Sequence, residues 1–335
     1  MAAGAGGLVM GLLQRLPQAA APKSAERQMQ RVQRQALLKW PFGGIRLESP
    51  LKIAAEASVF RGYRGSDPVV VKKFWDRGTR REFVGGTVHA LKRFDGLGGH
   101  SDYSVNRYFA SSGNLGLVVV SFEQGTPVDE LFRQPAANRS DVIRRCCAWH
   151  DWAGQGDVAA TALPADRFAG EIHNVLATSA DHPDAALLAE LADELLAMLA
   201  DFGDRPALRG PGHPDFAPRN LILRPDGGVA AIDIHRGGTF FRSRQAAIFL
   251  VSKDFQGRKM ESEFIYGLDE AEMRQFLAYG NAPEEEVENF FIFFVGLTFL
   301  RMYSKKTKRV RRMRMRRARI EAYLKDLRQG RKILP

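Results

Sequence analysis

His213-Pro-Asp-Phe-Ala-Pro-Arg-Asn-Leu-Ile-Leu-Arg-Pro-Asp-Gly-Gly-Val-Ala-Ala-Ile-Asp-Ile-His-Arg236 is the stretch that decides the fold. Asp215 falls in a loop, and Asn220 opens a short apolar strand, Asn220–Leu223. Pro225-Asp-Gly-Gly228 is a tight-turn signal. A second apolar strand, Val229–Ile234, carries Asp233 near its end. Hairpin pairing is expected to bring Asn220 and Asp233 side by side, with Asp215 at the same end. Two oxygen donors so placed suit Mg²⁺, which takes few protein oxygens and completes its octahedron with water and phosphate. A separate carboxylate, Asp215, can orient an attacking hydroxyl and accept its proton. His213 is expected to hold the loop through backbone hydrogen bonds.

The order His-x-Asp-x-x-x-x-Asn, hairpin, apolar strand ending in Asp resembles the protein-kinase-like superfamily. The version with Phe216 and Pro218 is similar to aminoglycoside phosphotransferases and other small-molecule kinases. Ile232-Asp-Ile-His-Arg-Gly237 instead resembles the lipopolysaccharide core sugar kinases (Kdo and heptose kinases), which carry Asp-Leu-His-Arg at this point. The Asp-Phe-Gly and Ala-Pro-Glu of protein kinases are absent. The resemblance spans roughly residues 50 to 300. It implies ATP and Mg²⁺ as cofactors, Asp215 and His213 as catalytic-loop residues, and Asn220 and Asp233 as metal ligands. His235 and Arg236 would lie near the phosphates or the acceptor.

Outward toward the N-terminus, such a chain needs a strand lysine for the phosphates and a helix glutamate to aim it. Val69-Val-Val-Lys-Lys73 offers two lysines, and alternation puts Lys72 on the face of Val70. Glu82 is the one glutamate between Lys72 and Glu123, and it falls early in an expected helix, Arg80–Arg93. A glycine-rich phosphate loop is missing. Ala54-Ala-Glu-Ala-Ser58 stands in its place, with Ala57 and Ser58 as the small residues nearest the phosphates. Glu123 and Gln124 read as the hinge offering backbone groups to the adenine.

The remaining pattern divides in two. Gln28–Lys39 reads as a lead-in helix, and Ser58–Gly62, Pro68–Phe74 and Leu115–Phe122 as strands. Beyond them Asp141–Ala153 and Asp184–Phe202 have helical periodicity, Pro206–Gly212 is a Pro/Gly loop, and Arg242–Leu300 is helical. The expected fold is α+β and bilobal. It comprises an extension (1–45), a strand-rich lobe (46–124), a helical lobe (125–300) and a basic segment (301–335).

Composition sets the surroundings. The adjacent Cys146 and Cys147 are the only cysteines, which rules out a disulfide framework and fits a reducing cytoplasm. Met1–Ala21 has a short apolar patch, Leu8–Leu13, with no basic residue before it, and reads as a frayed terminus. Phe290–Leu300 is too short to span a membrane and reads as a buried helix. The formal charge is +11, and Arg301–Arg319 holds eleven Lys or Arg and no acid, so the rest of the chain is balanced. Such a block seeks an anionic membrane surface, with nucleic acid the weaker alternative. The combined expectation is a kinase acting on a sugar hydroxyl of a glycolipid, the lipopolysaccharide inner core, at the inner face of the cytoplasmic membrane. The alternatives are a small-molecule kinase of aminoglycoside-phosphotransferase type and a non-catalytic kinase-like scaffold binding membrane or nucleic acid.

Overall fold

Pairing partners and helical faces follow from the alternation of apolar residues, most plainly in the N-terminal sheet. The computed structural model describes residues 22–37, 40–97, 102–134, 138–156, 158–235, 237–255, 263–280, 282–305 and 310–334. The expected frayed Met1–Ala21, Arg236 and Lys306–Arg309 lie outside the described residues. The chain divides into two units. The first gathers Met1–His100, Val105–Gln124 and Ile232–Gly237; the second gathers Ser101–Ser104, Gly125–Ala231 and Gly238–Pro335.

In the first unit, α1 (Pro22–Gln35) leads to β1 (Ile45–Ile53), β2 (Ala57–Arg64) and β3 (Asp67–Phe74), then α2 (Arg80–Asp95). A short strand, β4 (Tyr103–Val105), belongs to another sheet, and β5 (Tyr108–Ser112) and β6 (Leu117–Ser121) complete this one. The strand order is β1-β2-β3-β6-β5. The β2–β3 turn is only Gly65-Ser66, with Gly65 at φ +62°, a region glycine enters without steric cost. Val59, Lys72 and Val118 are register partners, as are Arg61, Val70 and Val120. Opposed residues share a face and successive residues alternate. Lys72 and Val70 therefore lie on one face, and Ser58, Lys73 and Leu117 on the other. That second face packs under α1: Phe60, Val69, Val71, Leu117 and Val119 form one core with Ala25, Val32 and Ala36. The lead-in helix thus begins and ends earlier than expected, and its apolar stripe is the sheet's lid.

The second unit holds β7 (Thr126–Pro127), α3 (Val128–Leu131), α4 (Arg139–Ala153), β8 (Ala159–Ala162), α5 (Ala165–Ala177) and α6 (Ala185–Phe202). Then come β9 (Pro206–Pro211), β10 (Leu221–Leu223), β11 (Val229–Ala231) and β12 (Thr239–Phe241). The chain continues with α7 (Arg242–Asp254), β13 (Phe264–Ile265), β14 (Leu268–Asp269), α8 (Glu270–Tyr279), α9 (Ile292–Tyr303) and α10 (Val310–Arg328). The expected loop at Pro206–Gly212 is instead a strand, paired with β8 and β12. Its prolines sit at the first and last positions, where a missing N–H costs the ladder least. A π-helical turn, Glu286–Phe291, precedes α9. Phe290–Leu300 is buried, as its apolar run requires. Among the described residues no helix is long and apolar enough to cross a membrane.

The basic block is only partly a surface. Arg319 is 2% exposed and pairs with Asp254 at 3.1 Å while donating to the carbonyl of Gly267. Arg301 pairs with Glu171, Arg317 with Asp184 and Glu321, and Arg316 lies over the Phe255 ring. Ile320, Tyr323 and Leu324 are buried, so α10 packs on its unit.

Candidate active site

The loop from His213 to Asn220 is built from inside out. His213 is fully buried, and its Nδ1 accepts from the backbone N–H of Asp215 at 3.0 Å. Its carbonyl accepts from Gln245 Nε2 at 2.8 Å, and Gln245 Oε1 lies 3.1 Å from His150 Nε2. Because the amide nitrogen of Gln245 donates to His213, its oxygen is the acceptor, and His150 must carry the proton on Nε2. A Cβ on Gly212 would stand 2.2 Å from Gln245 Nε2, so glycine is what lets the loop approach α7. Phe216 fills the space beneath, stacked on Trp149 and Phe249. His150 and Gln245 support the loop from α4 and α7; sequence reading missed both, and only their polarity within apolar helical stretches signalled them.

Asp215 is 7% exposed. Its Oδ2 accepts from Arg219 at 2.6 Å and from Asn220 Nδ2 at 3.0 Å. Asn220 Nδ2 also donates to the carbonyl of Asp215 at 2.8 Å. Both bonds identify that atom as nitrogen, so the amide orientation is fixed and Oδ1 is the acceptor left to present. Pro218–Asn220 forms a single 3₁₀ turn before β10, which pairs with β11 from Leu221↔Ala231 to Leu223↔Val229. Gly125 is needed next to this hairpin. At φ +146° its Cβ would lie 2.3 Å from the Leu223 carbonyl oxygen.

Lys305 lies within electrostatic reach of Asp215 and Arg219. Although Lys305 is exposed as a residue, partial desolvation of its ammonium, then Arg301 and Arg219, push its pKa down to about 8, while Asp215 pulls it up. The groups around Asp215 are thus predominantly cationic. In the acidic run Glu284–Glu288, Glu286 accepts from Ser243 and from the Leu208 N–H, and Glu288 accepts from the N–H groups of Ile333 and Leu334, so these two carboxylates are engaged in the fold.

In the first unit Lys72 is 8% exposed, and its Nζ lies 2.7 Å from Asp233 Oδ1. The strand ends at Ala231, so Asp233 stands beyond it rather than inside it, at φ +63°. Positive φ in a non-glycine residue is uncommon, and short polar Asp is among the few side chains that tolerate it. His235 Nδ1 donates to the Asp233 carbonyl at 2.9 Å, and the His235 carbonyl accepts from Thr87 at 3.4 Å. Gly237 allows α2 close, since a Cβ there would meet His89 at 2.5 Å.

Two expected roles change. Glu82 is exposed on the first turn of α2, and the ion pair of Lys72 is with Asp233 instead. The buried positions of α2 are Val84, Thr87, Ala90, Leu91 and Phe94, and Glu82 falls outside that stripe. Ser58 is fully buried on the α1 face of the sheet, where it donates to Gln28 and accepts from Trp75. Alternation turns its hydroxyl away from Lys72. Ala57 and Val70 have half-buried side chains, Val70 on the Lys72 face. At the hinge, Glu123 accepts from Ser121 at 2.6 Å, and Gln124 is exposed. Among the described residues no three His, Cys, Asp or Glu side chains cluster as a metal cage.

No family model and no curated protein matches the sequence. Solved structures do. A choline kinase from Streptococcus pneumoniae superposes with a TM-score of 0.56 at 12% identity, covering 90% of this chain and 99% of that one. A thermostable mutant of aminoglycoside phosphotransferase APH(4)-Ia gives 0.59 at 14% identity, covering 87% and 97%. The GDP complex of aminoglycoside 2′-phosphotransferase-IIIa gives 0.56 at 12% identity, covering 92% and 100%. The chain has the protein-kinase-like α+β fold expected from its catalytic-loop pattern.

Proposed function

We propose that the protein is an ATP-dependent kinase that phosphorylates a sugar hydroxyl of the lipopolysaccharide inner core, a heptose or Kdo. That it is a kinase is supported by Asp215 and Asn220 on one buried loop, Lys72 bonded to Asp233, and a fold shared with choline and aminoglycoside phosphotransferases. In this reading Asp215 orients the acceptor hydroxyl and takes its proton as the oxygen attacks phosphorus. Arg219 and Asn220 hold the carboxylate in place. Lys72 exchanges Asp233 for the nucleotide phosphates. By donor chemistry Asn220 Oδ1 and the Asp233 carboxylate are the hard oxygens that would hold Mg²⁺, which would draw charge from the phosphoryl oxygens. His213 positions the loop and touches no substrate.

The acceptor is argued from one observation, the cations beside Asp215, Arg219 and Lys305. A polycationic aminoglycoside would be repelled there, whereas the acidic sugars and phosphates of a lipopolysaccharide core would be attracted. Exposed parts of Arg301–Arg319, such as Arg314, would add attraction to an anionic membrane, at about 1 kcal/mol per residue at most. The test is ATP turnover with purified core glycolipid against soluble sugars, choline and aminoglycosides. Turnover confined to a cationic small molecule would replace this reading with the small-molecule kinase. No turnover with any acceptor and no nucleotide binding would favour the scaffold.

A further inference from the structure

Lys73 faces the α1 side of the sheet, opposite Lys72, and there it lines a cavity of about 290 Å³. The walls come from Arg31 and Val32 of α1, Lys73 and Trp75 at the end of β3, and Arg77 and Arg80 at the entry to α2. Four cations converge, and no carboxylate is among the lining residues. Asp76, beside them in the chain, is committed to its own turn. It accepts from the Gly78 N–H at 2.9 Å and from Thr79 Oγ1 at 2.7 Å.

Among the described residues these cations make no ion pair with a carboxylate, and the groups that hold them are neutral. Arg31 and Lys73 sit over the Trp75 ring at 5.7 and 5.1 Å from its centroid. The ring is fixed because its Nε1 donates to Ser58 at 2.9 Å. Lys73 Nζ also donates to the Leu115 carbonyl. Arg80 Nε is buried without a hydrogen-bond partner among the described residues. Arg80 also opens α2, whose sixteen residues aim the positive end of their dipole here. Burial first, then the like charges of Arg80 and Arg31, lowers the pKa of Lys73. A bound anion would relieve both the repulsion and the orphan donor.

We infer that this cavity binds a phosphate-bearing anion, at a site separate from the Lys72 face, with Arg31, Arg77 and Arg80 on the phosphate and Trp75 and Val32 against its organic body. The inference does not rest on the proposed kinase reaction. The full-length protein is titrated with inorganic pyrophosphate and, separately, with phosphatidic acid vesicles at fixed ionic strength, with and without a non-hydrolysable ATP analogue. Arg31 and Arg77 have exposed side chains, so Arg31→Gln/Arg77→Gln should keep the melting temperature and weaken binding about tenfold or more. Arg31→Lys/Arg77→Lys should bind more tightly than the glutamine pair, and Lys72→Met should bind as wild type. Binding of pyrophosphate assigns a soluble phosphorylated ligand, and binding of vesicles alone assigns a lipid headgroup. Absence of both, survival of binding in the glutamine pair, or its loss in Lys72→Met overturns the site.

Discussion

At Asp215 the carboxylate spends one oxygen on Arg219 and Asn220, which in the proposed reaction leaves Oδ1 for an acceptor hydroxyl. Asp215→Asn should therefore lower kcat about 10²- to 10⁴-fold and leave the affinity for ATP unchanged. Isothermal titration with nucleotide beside a turnover assay checks both halves; wild-type turnover would remove Asp215 from the base role. The two strand lysines make a second contrast. Lys72→Ala removes the partner of Asp233 and should abolish activity, whereas Lys73→Ala should leave kcat/KM for ATP near wild type, because Lys73 points under α1. Equal losses in the two variants would mean the register argument is wrong. Alternation made this choice readable, since Val70 and Lys72 are two apart on one strand. The same rule places Ser58 wrongly for phosphate, because Ser58 opposes Lys73. Glu82 was misread for another reason. A lone glutamate early in a helix satisfies spacing, but which face it takes depends on how α2 docks, and the stripe of Val84, Thr87 and Leu91 that docks leaves Glu82 outside it.

Between elements, the loop rests on a chain of bonds from α4 through α7: His150, Gln245, His213. His150 is 4% exposed, and burial, followed by the charge of Arg242, pushes its pKa down to about 4. A histidine whose folded pKa is depressed is neutral in the fold. The unfolded chain then binds more protons between about pH 4 and 6.5, and stability rises with pH across that window. Acidification from about pH 6.5 toward 4 should thus cost up to about 3 kcal/mol from this group. Urea unfolding at pH 7 and pH 5 should show a smaller loss for His150→Gln than for wild type. An identical loss would mean that His150 is not the proton acceptor. α4 and α6 were legible from their apolar spacing, and α9 from its continuous apolar run. β9 was not, because two prolines and a glycine in six residues read as loop unless its pairing with β8 and β12 is known.

Across the molecule, the charge excess is confined to one segment, but that segment faces both ways. Its count was legible in composition, and its partition was not. Arg319 lies one and four residues from Ile320 and Tyr323, on the buried side of α10, so helical spacing continued backward from those apolar positions would have marked it as internal. It joins a buried network in which Lys253 bridges Asp254 and Glu272, and Arg139 reaches Glu272. Removing Arg319 would leave the buried Asp254 with Lys253 and the Asp269 N–H, one cation fewer, and the carbonyl of Gly267 without the Arg319 donor. Breaking a buried pair costs about 3–5 kcal/mol, and the remaining lysine should hold the loss near the lower end. Arg319→Ala should therefore lower the unfolding free energy by about 3 kcal/mol. Arg314, exposed on the same helix, offers the opposite case: Arg314→Gln should change stability by less than about 0.5 kcal/mol. If the segment docks on an anionic membrane, Arg314→Gln should also weaken salt-sensitive binding to anionic vesicles, by about fivefold at most. Urea melts and vesicle sedimentation on the two variants separate the roles. Equal stability of both variants would mean that Arg319 is not a structural cation, and unchanged sedimentation of Arg314→Gln would remove that residue from the docking surface.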